Sequence, residues 1–129
     1  MSRVVHFEIH SNNPQRAVDF YSQVFGWKIQ KWDGPEDYWL ITPGEQGTPG
    51  IDGAILRREG PPPPDNTTVN AYVCTVDVPN VDATIAAVEK AGGRIALPKM
   101  PVPGIGWLAY FKDTEGNTLG AMQMDPAAA

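Results

Sequence analysis

Residues 3–26, Arg3-Val-Val-His-Phe-Glu-Ile-His-Ser-Asn-Asn-Pro-Gln-Arg-Ala-Val-Asp-Phe-Tyr-Ser-Gln-Val-Phe-Gly26, decide how the rest of the chain is read. Val5, Phe7 and Ile9 alternate with His6, Glu8 and His10. A strand here therefore puts apolar groups on one face and three ionisable groups on the other. Asn13-Pro14 opens a helix whose Ala17, Val18, Tyr21, Val24 and Phe25 recur every three to four residues until Gly26 ends it. Two imidazoles and a carboxylate at alternate strand positions can form one side of a metal site or the polar wall of a ligand cavity. Pairing of His with Glu on that face is expected to raise the imidazole pKa.

Working outward, the same order of elements occurs twice. The first half reads as strand Val4–His10, helix Pro14–Phe25, then strands near Trp27–Trp32, Tyr38–Thr42 and Ile51–Arg57. The second reads as strand Val69–Val78, helix Val81–Ala91, then strands near Arg94–Leu97, Trp107–Lys112 and Thr118–Met124. A gapless shift of 67 residues takes Gly26 onto Gly93 and Val18 onto Ile85. It also takes Val5, Phe7 and Ile9 onto Tyr72, Cys74 and Val76, which makes these the sheet faces under the two helices.

The fold class is thus α+β, with two βαβββ modules forming curled mixed sheets around a cavity. The whole chain, 1–129, is expected to be a single domain: module 1 over 1–58, a proline-rich linker over 59–67, and module 2 over 68–125. Pro61–Pro64 favour an extended polyproline connector that cannot enter a sheet ladder. Neither module covers both faces of its own sheet, so pairing within the chain or between two chains is expected.

Composition narrows the function classes. The chain is 42% hydrophobic and 19% charged, with a formal charge of −5 and a pI near 4.8. With no basic patch, nucleic acid is not an expected partner. There is no apolar run long enough for a membrane span and no signal segment at the start, and Cys74 is the only cysteine. A cytoplasmic location is expected, with Cys74 buried as a structural residue. The serines lack an elbow motif and both histidines lie on the first strand, so no catalytic residue is assigned.

The stretches His6-Phe-Glu-Ile-His10, Ala17-Val-Asp-Phe-Tyr21 through Gly26-Trp27, Val81-Asp-Ala83 to Gly92-Gly93, and Phe111-Lys-Asp-Thr-Glu-Gly-Asn117 follow in this order. Together they resemble the vicinal oxygen chelate superfamily: glyoxalase I, bleomycin-resistance proteins and extradiol dioxygenases. The resemblance implies the glyoxalase-like fold, a homodimer and a cavity within curled sheets. Metal-dependent members use one position on the first and last strand of each half. Carried over, these fall at His6, at Gly53 or Ala54, among Ala71, Tyr72 and Val73 (Val73 by the repeat shift), and at Gly120. Three of the four have no ligating side chain, so the lyase and dioxygenase chemistry of the family, which needs a Lewis-acid cation, does not carry over. No cofactor is expected; a divalent metal, if any, would use His6 with Glu8 or His10.

Aromatic residues are the second signal. Trp27, Trp32, Tyr38, Trp39, Trp107, Tyr110 and Phe111 sit on or beside strands, and large rings suit stacking on a planar, poorly charged molecule. Trp39 and Trp107 are the preferred cavity residues. The loop Lys99–Trp107 is expected to fold over a cavity mouth or a partner chain. Asp113–Asn117 is expected to be a turn in which Gly116 and Asn117 supply positive φ.

The leading expectation is a protein similar to the bleomycin-resistance branch that binds a small hydrophobic or aromatic molecule without metal, through His6, Glu8, His10, Trp39 and Trp107. The first alternative is a lyase, isomerase or dioxygenase with an unusual metal site or a metal-free acid–base pair. The second is a non-catalytic interaction module.

Overall fold

A computed structural model describes residues 2–64, 70, 72–114 and 117–129. The chain forms two compact units, one comprising His6–Tyr72 and the other the segment up to Val5 together with Val73–Ala129. The strands and helices anticipated from the sequence are present, in the order βαβββ twice.

In the His6–Tyr72 unit, β1 (Val4–Ser11), which begins just before the unit boundary, leads to α1 (Pro14–Phe25). The Asn13 side chain accepts the Arg16 N–H at 3.1 Å, and Pro14 occupies the first turn, where no amide hydrogen is needed. Gly26 ends the helix at φ 71°, a left-handed conformation that costs glycine nothing, and its N–H reaches Ser22 O at 2.9 Å. Strands β2 (Lys28–Lys31), β3 (Tyr38–Thr42) and β4 (Asp52–Arg57) follow. The strand order is β2-β3-β4-β1, with β1 parallel to β4 and the other pairs antiparallel.

The core of this unit lies on the face carrying Phe7, Ile9, Ile41 and Ile55. Phe7 covers Gly53, where an added Cβ would stand 2.6 Å from the ring. Phe7 also meets Trp27 and Tyr72 at 5.9 and 5.5 Å between ring centroids, while Tyr21 stacks on Trp27 at 5.2 Å. Tyr72 donates to the Tyr21 hydroxyl, and burial together with that bond pushes its pKa up to about 12. Tyr72 therefore packs on Phe7, not at the repeat-equivalent place under the second helix. At the C-terminal end of α1, Val24 and Phe25 are exposed, contrary to their place in the apolar pattern, as is Phe20.

The second unit contains β5 (Val73–Asp77), α2 (Val81–Lys90), β6 (Arg94–Val102), β7 (Gly106–Lys112) and β8 (Thr118–Met124). The order is β5-β8-β7-β6, with β5 parallel to β8. Asn80 caps α2 by accepting the Ala83 N–H at 2.9 Å, and the Gln123 side chain accepts the Val81 N–H. Val78, Val81, Ala109 and Ala121 form the buried cluster, packed by Val76, Ile85, Trp107 and Phe111. The face under α2 is thus the one the repeat predicts. Cys74 is only half-buried.

Three expectations are revised here. Strand β6 runs on to Val102, so Lys99–Val102 belongs to an edge strand whose bulges and two prolines, Pro98 and Pro101, sit where a missing N–H costs no ladder bond. The remaining hairpin is fastened to the tail: Gly104 N–H donates to Ala128 O and Asp125 N–H to Ile105 O, within the same unit. Ala128 is buried, so this module extends past residue 125. The Asp113–Asn117 turn is closed by Asp113 N–H to Asn117 O and Asn117 N–H to Asp113 Oδ1, without positive φ at Asn117. Gly116, like residues 65–67 of the linker and Thr68 and Val69 of module 2, lies outside the described residues.

Candidate functional site

Strand alternation and register determine which side chains share a face. His6 lies opposite Asp52, Glu8 opposite Ala54 and His10 opposite Leu56 on β4. On β3, Tyr38 lies opposite Leu56 and Leu40 opposite Ala54. The face away from Phe7 and Ile55 therefore carries His6, Glu8, His10, Asp52 and Tyr38 around Ala54, Leu40 and Leu56.

These groups interact. His6 Nε2 and the Tyr38 hydroxyl share a hydrogen bond of 3.0 Å, and His10 Nε2 stands 4.0 Å from a Glu8 oxygen. Glu8 is only 5% exposed, an uncommon position for a carboxylate. Burial raises the Tyr38 pKa and the Glu8 carboxylate adds to it, so the phenol keeps its proton. Burial lowers the His6 pKa against an opposing pull from Asp52. It also lowers that of His10, helped by Arg58 and opposed by Glu59. The expectation that Glu8 would raise the imidazole pKa is corrected: desolvation outweighs charge pairing on this strand. Both imidazoles are neutral near pH 7, and each can accept as well as donate a hydrogen bond.

The same register separates Trp39 from this group. Trp39 lies opposite Ile55 on the Phe7 side, with the Lys31 ammonium 5.8 Å from its ring. Trp107 packs on the cluster under α2, donates its indole N–H to Asp125 Oδ2 at 3.1 Å and carries Lys99 over its ring at 4.8 Å. The expectation that Trp39 joins the first-strand groups is corrected by one residue of parity. Tyr38, its neighbour, is the aromatic that faces them, and Asp52 is the carboxylate the sequence reading passed over.

The positions that hold metal in the resembling family test poorly. Ala54, not Gly53, shares the His6 face and offers no donor. In the other unit, Val73 offers none either, and Ala71 lies outside the described residues. A Cβ at Gly120 would meet the Tyr110 ring at 3.2 Å and Thr75 Oγ1 at 3.3 Å, so the space for a longer ligating side chain is filled. Among the described residues, no three His, Cys, Asp or Glu side chains gather closely enough to hold an ion. The donor set does not fit the family's metal.

The other unit has an open cleft of about 420 Å³ lined by Ser2, Asp77, Val78, Pro79, Gln123 and Met124. Its Gln123 is already committed to α2, and its groups offer less chemistry than the first-strand face.

A family model described as the Glyoxalase/Bleomycin resistance protein/Dioxygenase superfamily matches residues 3–120. The chain belongs to that superfamily. A glyoxylase-like domain-containing protein of Didymella fabae is 32% identical over 113 residues, covering 86% of this chain and 85% of the relative. The anthracycline biosynthesis protein DnrV of Streptomyces peucetius is 26% identical over 117 residues, 85% of this chain but only 42% of that protein. Among solved structures, the hypothetical protein BH1468 of Bacillus halodurans C-125 shares the fold with a TM-score of 0.65 and 15% identity, over 99% of this chain and 98% of that one. No helix among the described residues is long and apolar enough to cross a membrane.

Proposed function

We propose that this member of the glyoxalase superfamily binds a small, poorly charged aromatic molecule without a metal ion, on the His6–Glu8–Tyr38 face. The observation that carries the reading is the His6–Tyr38 hydrogen bond: the one imidazole at a family metal position spends its Nε2 on a phenol. Around that bond, Ala54, Leu40 and Leu56 give apolar contact while His6, Glu8 and Tyr38 give a few directed polar groups, the usual make-up of an organic ligand site. A relative named for anthracycline biosynthesis supports an organic ligand. The reading includes a cytoplasmic homodimer, supported by Phe20, Val24 and Phe25 exposed on α1; a monomer mass in light scattering would remove the dimer.

The test is titration calorimetry with 2-methoxynaphthalene on chelator-treated protein and on protein supplied with zinc, nickel or manganese. Equal affinity in both is expected. Binding that requires a divalent ion, or a stoichiometric metal in protein purified without chelator, would overturn the reading.

A second reading is favoured by the buried Glu8 beside His10. A metal-free acid–base enzyme would draw its acid and base from the first strand, and its turnover would collapse in His6→Ala or Glu8→Gln.

A further inference from the structure

The repeat supplies an internal control for Glu8. In the first unit, Glu8 stands opposite Ala54; in the second, Thr75 stands opposite Gly120 at the matching place between first and last strands. Both side chains are buried, Glu8 at 5% and Thr75 at 4% exposure. The scaffold thus needs no more than a small hydroxyl there. A buried carboxylate is the costlier solution, since a charge taken out of water must be met by several well-placed polar groups. A costly group that the fold does not require points to use.

The surroundings limit what that use is. Apart from the two histidines, the charged residues on this face of the four strands are Glu8, Asp52 and Lys28, the last on edge strand β2. The Arg58 guanidinium nearby donates to Asn12 Oδ1 and His10 O. An ionised carboxylate accepts hydrogen bonds and donates none, so what it selects is a donor. Counting Arg58 and Glu59, which both act on His10, three carboxylates stand against two cations, a balance that disfavours an anionic ligand.

Resting on the binding reading above, we infer that Glu8 accepts a hydrogen bond from a hydroxyl on the ligand, and that the ligand class is an uncharged, hydroxylated aromatic. The apolar neighbours hold the ring while Glu8 fixes where its hydroxyl sits. Burial strengthens that bond, because little water competes for either partner. The neutral state of His6 and His10 leaves no imidazolium on the strand to attract an acid.

Three probes of one ring size separate the inference from the reading beneath it: 2-naphthol, 2-methoxynaphthalene and 2-naphthoate, titrated into the full chain. The expected result is 2-naphthol binding about tenfold or more tighter than its methyl ether, as for a hydrogen bond to a charged group, with the acid weakest. In Glu8→Thr, built on the second unit's own solution, the ratio of naphthol to methyl ether affinity falls to less than about twofold. In the unaltered protein, bound 2-naphthol shows a red-shifted absorption band, which holds the inference to account even if the variant fails to fold. Equal binding of naphthol and ether overturns the inference and leaves the binding reading standing. Tightest binding of the acid, or an undiminished preference in Glu8→Thr, also overturns it. Binding of none of the three overturns both.

Discussion

The two units share one sequence of elements, yet their strands differ on the faces away from the helices. Beyond α1 stand His6, Glu8, His10 and Tyr38; beyond α2, the matching strands carry Thr75, Asp77, Leu108, Tyr110, Lys112, Met122 and Met124. On the helix sides both units are apolar, with Phe7, Ile9, Ile41 and Ile55 in the first and Val78, Val81, Ala109 and Ala121 in the second. The fold therefore fixes the helix-side faces in both halves and leaves the other faces free to vary. Two imidazoles beside a buried carboxylate stand on the first unit's face, and they mark where function is to be sought.

The most damaging way to press on this comparison is to put the first unit's chemistry into the second. Thr75→Glu places a carboxylate at a 4%-exposed site beside Tyr110 and Gly120, and a loss of about 3 kcal/mol or more is expected in urea unfolding. Removal of shared helix-side packing has a similar cost. Phe7→Ala leaves a hole over Gly53 and beside Trp27 and Tyr72, and should cost about 3–5 kcal/mol. The reverse exchange, Glu8→Thr, is expected to change stability by less than about 1 kcal/mol while removing hydroxyl preference. A large loss of stability there would mean that Glu8 is structural and that the contrast between the units has no functional content.

These exchanges also show what the sequence could and could not reveal. The alternation from Val5 to His10, the Asn13-Pro14 opening and the Gly26 stop are local signals, and the structure follows them. The repeat extended them to the second half. Trp39 was misplaced because an aromatic-rich pair, Tyr38-Trp39, does not say which member faces the first strand. Only the pairing of β3 with β4, and of β4 with β1, settles it. The half-buried His6 and the exposed His10 were misjudged for a related reason. Charge neighbours are visible in a sequence, whereas the desolvation that outweighs them depends on packing. Strand β6 ran through Pro98 and Pro101 because an edge strand tolerates them.

Smaller effects sharpen the comparison. The unfolded chain takes up protons at its histidines near pH 6.5, while folded His6 and His10 bind them only at lower pH. Protonation thus favours the unfolded state, and stability falls as pH drops below about 6.5 toward the lowered folded values. Thermal melting from about pH 7.5 down to about pH 5.5 should show this fall, and a smaller one in His6→Gln. Met122→Leu, in the second unit, conserves volume and should cost less than about 1.5 kcal/mol with no effect on the naphthol-to-ether ratio.

The most direct measurement is amide and side-chain shift mapping by NMR as 2-naphthol is titrated into the protein. The account predicts the largest changes at His6, Glu8, Tyr38, Leu40 and Ala54, with the Trp39 and Trp107 indole N–H signals little moved. Shifts led by those two indoles, with the His6 and Tyr38 signals unchanged, would contradict it.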